Sequence, residues 1–185
     1  GPSYEAPFGT SINTSHLTGI MDPMNAKHQI QPLLHTQRFT VVEHQVTQPD
    51  GSVATCTAVE HPGAVVILPI LPGGKICLIR NHRLTVGATI LELPAGTREE
   101  NETPLETAKR ELAEETGYRG NHFEKLAEFF TSPGIVNECM HAFVATDLTA
   151  GSPAREANEE IENYIVTWDE ALEMVSQGTI QDGKT

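Results

Sequence analysis

Three glutamates, Glu111, Glu114 and Glu115, lie at i, i+3 and i+4 late in a segment whose pattern is helical. At 100° per residue they share one side of the helix, beside a stripe of Leu105, Ala108 and Leu112. Carboxylates held this close repel one another. They also sit in the last turn, where the helix dipole disfavours negative charge, and only Lys109 and Arg110 are at hand as basic partners. A solvated acidic face would be the ordinary reading of such a run. The local electrostatic cost instead points to a hard divalent cation with oxygen ligands, water and room for phosphate.

The elements around this cluster follow from local signals. Thr103 is an N-cap, Pro104 suits the first turn, Glu106 completes a capping box, and Gly117 offers the left-handed residue that ends a helix. The predicted helix is therefore Thr103 to Thr116. Before it, Arg38 to Thr47 and Ser52 to Glu60 are β-rich runs joined by Gln48-Pro49-Asp50-Gly51, which reads as a hairpin. Strands are expected at 64–71, 75–80 and 89–93, the last ending at Pro94-Ala95-Gly96. Further strands are expected at 125–130, 140–147 and 161–167, then a helix over 169–177 stopped by Gly178. Residues 1–36 have weak apolar periodicity and read as an irregular arm, and Gly1-Pro2-Ser3 looks like the remnant of a cleaved purification tag. The order of strands, helix, strands, helix implies a layered domain of mixed α/β or α+β class.

Composition narrows the function. With 12 Lys+Arg against 25 Asp+Glu the formal charge is −13, which excludes a duplex nucleic-acid binder, and an anionic ligand would need metal cations as intermediaries. The longest apolar stretch, Ala64 to Leu68, is far too short to span a bilayer. Cys56, Cys77 and Cys139 are too few and too scattered for a disulfide framework or a zinc site, and read as small buried hydrophobes in a reducing cytoplasm.

Gly96, five residues, Glu102, seven residues, then Arg110-Glu111-Leu112-Ala113-Glu114-Glu115-Thr116-Gly117-Tyr118 matches every fixed position of the Nudix box, GX5EX7REUXEEXGU. The chain thus resembles the Nudix hydrolases, which implies an α/β/α sandwich with a mixed sheet and Mg²⁺- or Mn²⁺-dependent cleavage of a nucleoside diphosphate linked to another group. Carried over by the resemblance, Glu111, Glu114 and Glu115 are the metal ligands with the Ala95 carbonyl as an extra oxygen. Glu102 is a supporting carboxylate, Arg110 orients the glutamates, and Gly96 lets the loop backbone approach the metal.

A second resemblance is to the ADP-ribose pyrophosphatase subfamily. Pro133 falls sixteen positions after Gly117 within Ser132-Pro133-Gly134, Glu138 follows, and Leu91 to Gly96 reads Leu-Glu-Leu-Pro-Ala-Gly. It implies hydrolysis of ADP-ribose to AMP and ribose 5-phosphate, with GDP-mannose or ADP-glucose as alternative substrates. It also implies a homodimer built on a swapped N-terminal antiparallel β-hairpin domain. The alternative of another class is an inactive nucleotide-binding module. The expected division is an arm at 1–36, the hairpin domain at 37–62 and the Nudix domain at 63–185. Arg83 stands where the subfamily has a diphosphate-binding arginine, although Asn81 and His82 depart from its pattern. Ser132 and Glu138 are expected at the substrate. The catalytic base is expected in the acidic loop before the last strand, with Glu159 first and Glu156 second. Family members continue past an Asp-x-Lys-Thr like that of 182–185 into a further helix, so truncation, a tail beyond residue 185 and a naturally short end are all open.

Overall fold

The structure is a computed structural model that describes residues 28–154 and 161–185. Its strands are β1 (His28–His35), β2 (Thr40–Thr47), β3 (Val53–Glu60), β4 (Ala64–Pro69), β5 (Ile76–Arg83), β6 (Ala88–Glu92), β7 (Ala95–Thr97), β8 (Tyr118–Phe130), β9 (Cys139–Ala150) and β10 (Ile161–Val166). Helix α1 spans Pro104–Glu111 and continues as a π-helical turn over Leu112–Thr116; α2 spans Trp168–Ser176. Among the described residues no helix is long and apolar enough to cross a membrane.

Among the described residues three sheets form, ordered β1-β2-β3, β10-β5-β6 and β7-β4-β9-β8. The last is mixed, because β4 and β9 run parallel while their other neighbours are antiparallel. Strand β4 is apolar on both faces because it is covered on both. Ala64 and Val66 pack with Met140 against Ile76, Leu78, Leu91 and Leu93, while Val65 and Ile67 pack with Phe143 and Ala145 against Ala108 and Leu112 of the helix. One face of the mixed sheet therefore meets the second sheet and the other meets α1, and this is the Nudix architecture expected from the sequence.

Several expectations change. Residues 28–35, expected in the irregular arm, form β1 and make the hairpin a three-stranded sheet. Every residue of β1 is exposed, so no inward face existed to impress period-two alternation on the sequence. Strand β7 was missed because its three residues carry a loop composition, and β8 begins at Tyr118, seven residues earlier than expected. Leu105 is exposed at 39% instead of joining the core stripe. It lies in the first turn, ahead of the part of α1 that the sheet covers, and Thr107 is buried in its place.

Candidate active site

The helix starts as its residues require. The Thr103 side chain accepts from the N–H of Glu106, whose carboxylate accepts from the N–H of Thr103, and Pro104 occupies the first turn. Its end is not regular α. Leu112–Thr116 is wound as a π turn, closed by Gly117 at φ +79°, where a side chain would be strained. Such turns often occur at functional sites. The three glutamates consequently do not share one solvent face. Glu111 is mostly covered, Glu114 is 40% exposed in its side chain, and Glu115 is buried at 4% on the same stripe as Leu112 and Thr116. Glu115 Oε2 accepts from the N–H of Ala95 at 3.0 Å, which fixes the end of β6 and the start of β7 to the helix.

Arg110 organises these acids, and all five of its N–H donors are used. Nε and Nη2 fork onto Glu102 at 2.8 and 2.9 Å. Nη1 donates to Glu111 at 2.7 Å and to Glu114 at 3.1 Å, and Nη2 also reaches the carbonyl of Thr97 at 3.1 Å. The guanidinium holds the Glu102 carboxyl down at about 2, and the surrounding acids push Arg110 above its already high range. Gly96 is required here by contact. A Cβ on it would lie 1.9 Å from Cδ of Glu111, so the glycine makes the space that the Glu111 carboxylate fills.

A second charged group faces the first. Glu92 at the end of β6 is fully buried, and Arg83 clasps it in a two-bond fork, at 2.7 Å from Nε and 2.5 Å from Nη2. Lys184 Nζ stands 3.3 Å from the same carboxylate and 2.7 Å from Asp182. Thr185 Oγ1 donates to Asp182 and accepts from the N–H of Leu93 at 2.9 Å, so the segment 182–185 is tied to β6. Glu92 raises the Arg83 pKa by hydrogen bonding, and the arginine stays charged.

Both groups open on a cavity of about 1060 Å³. Of the residues singled out from sequence, Arg83, Ala95, Gly96, Arg110, Glu111, Glu114, Glu115 and Glu138 line it. Glu138 accepts from Thr131 Oγ1 at 2.7 Å and lies 3.5 Å from His61. Ser132 is not on the wall; its carbonyl accepts from the N–H groups of Ile135 and Val136 at 2.9 Å and shapes the loop. Glu156 and Glu159 lie outside the described residues. Ala154, just before them, lines the cavity and donates its N–H to the carbonyl of Glu114 at 3.0 Å. Sequence reasoning missed Lys184 and Asp182, and also Gln37 and Arg38, which reach the wall from the turn between β1 and β2. No local spacing announces any of these four, and only the placement of chain segments brings them in.

The acidic wall suits a hard cation. It offers three carboxylates, two of them already aligned by one guanidinium, and a glycine that leaves room beside Glu111. The opposite wall, with Arg83 and Lys184, suits an anion.

Comparison with known proteins agrees. The NUDIX domain model matches residues 60–184. The chain is 39% identical over 142 residues to an ADP-ribose pyrophosphatase of Bacillus subtilis (strain 168), covering 76% of this chain and 77% of that protein. It is 35% identical over 157 residues to a GDP-mannose pyrophosphatase of Cronobacter sakazakii (strain ATCC BAA-894), covering 78% and 81%. A crystal structure of an ADP compounds hydrolase superposes with a TM-score of 0.73 at 21% identity, over 85% of this chain and 86% of that one, a likeness of fold. With the box intact and its acids gathered around Arg110 at the wall of one cavity, the chain belongs to the Nudix family of hydrolases.

Proposed function

We propose that this Nudix hydrolase cleaves the diphosphate of ADP-ribose, giving AMP and ribose 5-phosphate. The observation that carries the reading is the cavity with one acidic and one basic wall, because a diphosphate needs cations on one side and fixed donors on the other. Similarity to an ADP-ribose pyrophosphatase supports the choice of nucleotide.

In this reading Glu111, Glu114 and Glu115, with the Ala95 carbonyl, hold Mg²⁺ or Mn²⁺. Such ions, when bound, neutralise the diphosphate oxygens and lower the pKa of a coordinated water. Arg110 keeps the glutamates aligned and Glu102 anchors Arg110. Arg83 meets the diphosphate, while Ser132 and Glu138 serve the substrate from the 131–138 loop. The base that removes the proton from the attacking water is Glu159, with Glu156 second, on the segment that begins beside Ala154. Glu159→Gln is expected to cut kcat by roughly 10²–10⁴-fold with metal affinity, read by calorimetry, little changed; an unchanged rate transfers the role to Glu156.

The protein is further read as a cytoplasmic homodimer. The exposed Ile30, Leu33 and Leu34 of β1 favour a partner on the N-terminal sheet, which would make 37–62 with β1 a swapped unit ahead of the Nudix domain. GDP-mannose is the second substrate reading, supported by the likeness to a GDP-mannose pyrophosphatase; ADP-glucose is the third. An inactive binding module would have no use for mutually repelling acids around one arginine. The test is a panel of nucleoside diphosphate sugars with Mg²⁺. ADP-ribose is expected to give the highest kcat/KM, and the assignment fails if it is the slowest of the panel.

A further inference from the structure

A second group with ligating chemistry stands on the hairpin of β8 and β9. Glu128 and His141 are directly paired across the two strands, and Cys139, two residues before His141, lies on the same face. Met140, between them, points to the opposite face, where it lines the catalytic cavity. A carboxylate oxygen of Glu128, Sγ of Cys139 and a ring nitrogen of His141 all lie within 4.8 Å of one another. Sγ is 3.5 Å from Oε1 of Glu128 and Nδ1 is 3.3 Å from Oε2. A tetrahedral ion with bonds of about 2.0 Å to nitrogen and oxygen and about 2.3 Å to sulfur separates its ligand atoms by roughly 3.3–3.5 Å.

His141 is held in place for such a role: its Nδ1 is sealed from solvent and faces Oε2 of Glu128 at 3.3 Å. Two cations stand nearby. Lys125 Nζ bonds Oε2 of Glu128, and Arg98 acts on both Cys139 and His141. Oε1 remains on the Cys139 side, and Lys125 is half exposed and able to turn to solvent.

We propose that Glu128, Cys139 and His141 bind a divalent transition ion of the zinc class, with water as the fourth ligand, at a site separate from the helix glutamates. One sulfur, one imidazole nitrogen and one carboxylate select zinc over magnesium. Binding replaces the thiol proton of Cys139, which leaves to solvent, by the metal–sulfur bond. The ion would brace β8 to β9 at the root of the 131–138 loop, which carries Glu138 to the cavity wall.

Cobalt(II) titration of the full chain tests this. One equivalent is expected to produce a thiolate-to-cobalt charge-transfer band that added Zn²⁺ abolishes, and Zn²⁺ is expected to raise Tm. Oxygen ligands on the helix give no such band. Cys139→Ser is expected to remove it, and Glu128→Gln, whose side chain is 40% exposed, to weaken cobalt affinity at least roughly 10-fold with the far-UV spectrum unchanged. No band in the wild-type protein, a band that survives Cys139→Ser, or unchanged affinity in Glu128→Gln overturns the proposal.

Discussion

The two walls of the cavity are built from the same residue types in opposite proportion. On the helix side, one arginine serves three carboxylates, those of Glu102, Glu111 and Glu114, with Glu115 close by. On the sheet side, one buried carboxylate, Glu92, is shared between Arg83 and Lys184. Surplus acid makes the first wall a place for cations, whereas the second is a fixed pair of cations anchored from behind. The difference teaches that an ion pair's role follows from which partner is in excess and which one faces the cavity. Glu92 is buried behind its arginine, while Glu114 is the exposed member of its cluster.

Breaking the acidic wall gives the largest expected effect. Glu115→Gln removes the buried charge that faces the start of β7, and kcat is expected to fall by roughly 100-fold or more while the far-UV spectrum stays native. Full activity in that variant would remove the distinction between the walls.

The basic wall gives a smaller effect of a different kind. Glu92→Gln frees Arg83 and Lys184 to wander, and KM is expected to rise about 10-fold, one lost charge-assisted hydrogen bond, with kcat nearly kept. A steady-state KM-against-kcat split reads this. A fall in kcat at constant KM would mean that Arg83 acts only in the transition state.

The smallest effect sharpens the comparison within the acidic wall. Glu102 titrates at about 2 against an ordinary 4.5 because Arg110 donates to it. A depressed carboxyl stabilises the fold above its unfolded value and loses that contribution as pH falls from about 4.5 towards 2. Thermal melts across this window are expected to show a steep drop in Tm for the wild-type protein. Glu102→Gln is expected to melt a few degrees lower at neutral pH and to fall less steeply; identical slopes would show that Arg110 does not depend on Glu102.

Much of this was legible in the chain because its causes are local. Helix geometry and capping rest on contacts within four residues, so Thr103, Glu106, Gly117 and the run Arg110 to Glu115 announced the helix, its ends and its acids. Strands with an inward face were legible for the same reason. The exposed β1 was not, since it has no buried side to leave a pattern, and β7 was not, since three partly buried residues are too few to show one.

The sequence by itself determined the reaction family, through the identities and spacing of residues 96–118, and the elements that carry them. Only the tertiary structure decided that the last helical turn is π, that Gly96 yields its Cβ space to Glu111, and that Glu92 seats Arg83 beside Lys184. It alone decided that Cys139, which read as an inert apolar side chain, stands against Glu128 and His141. The physical reason is range. Local geometry is written in neighbouring residues, but contacts across tens of residues depend on strand register and layer packing, and these are fixed only when the whole core closes.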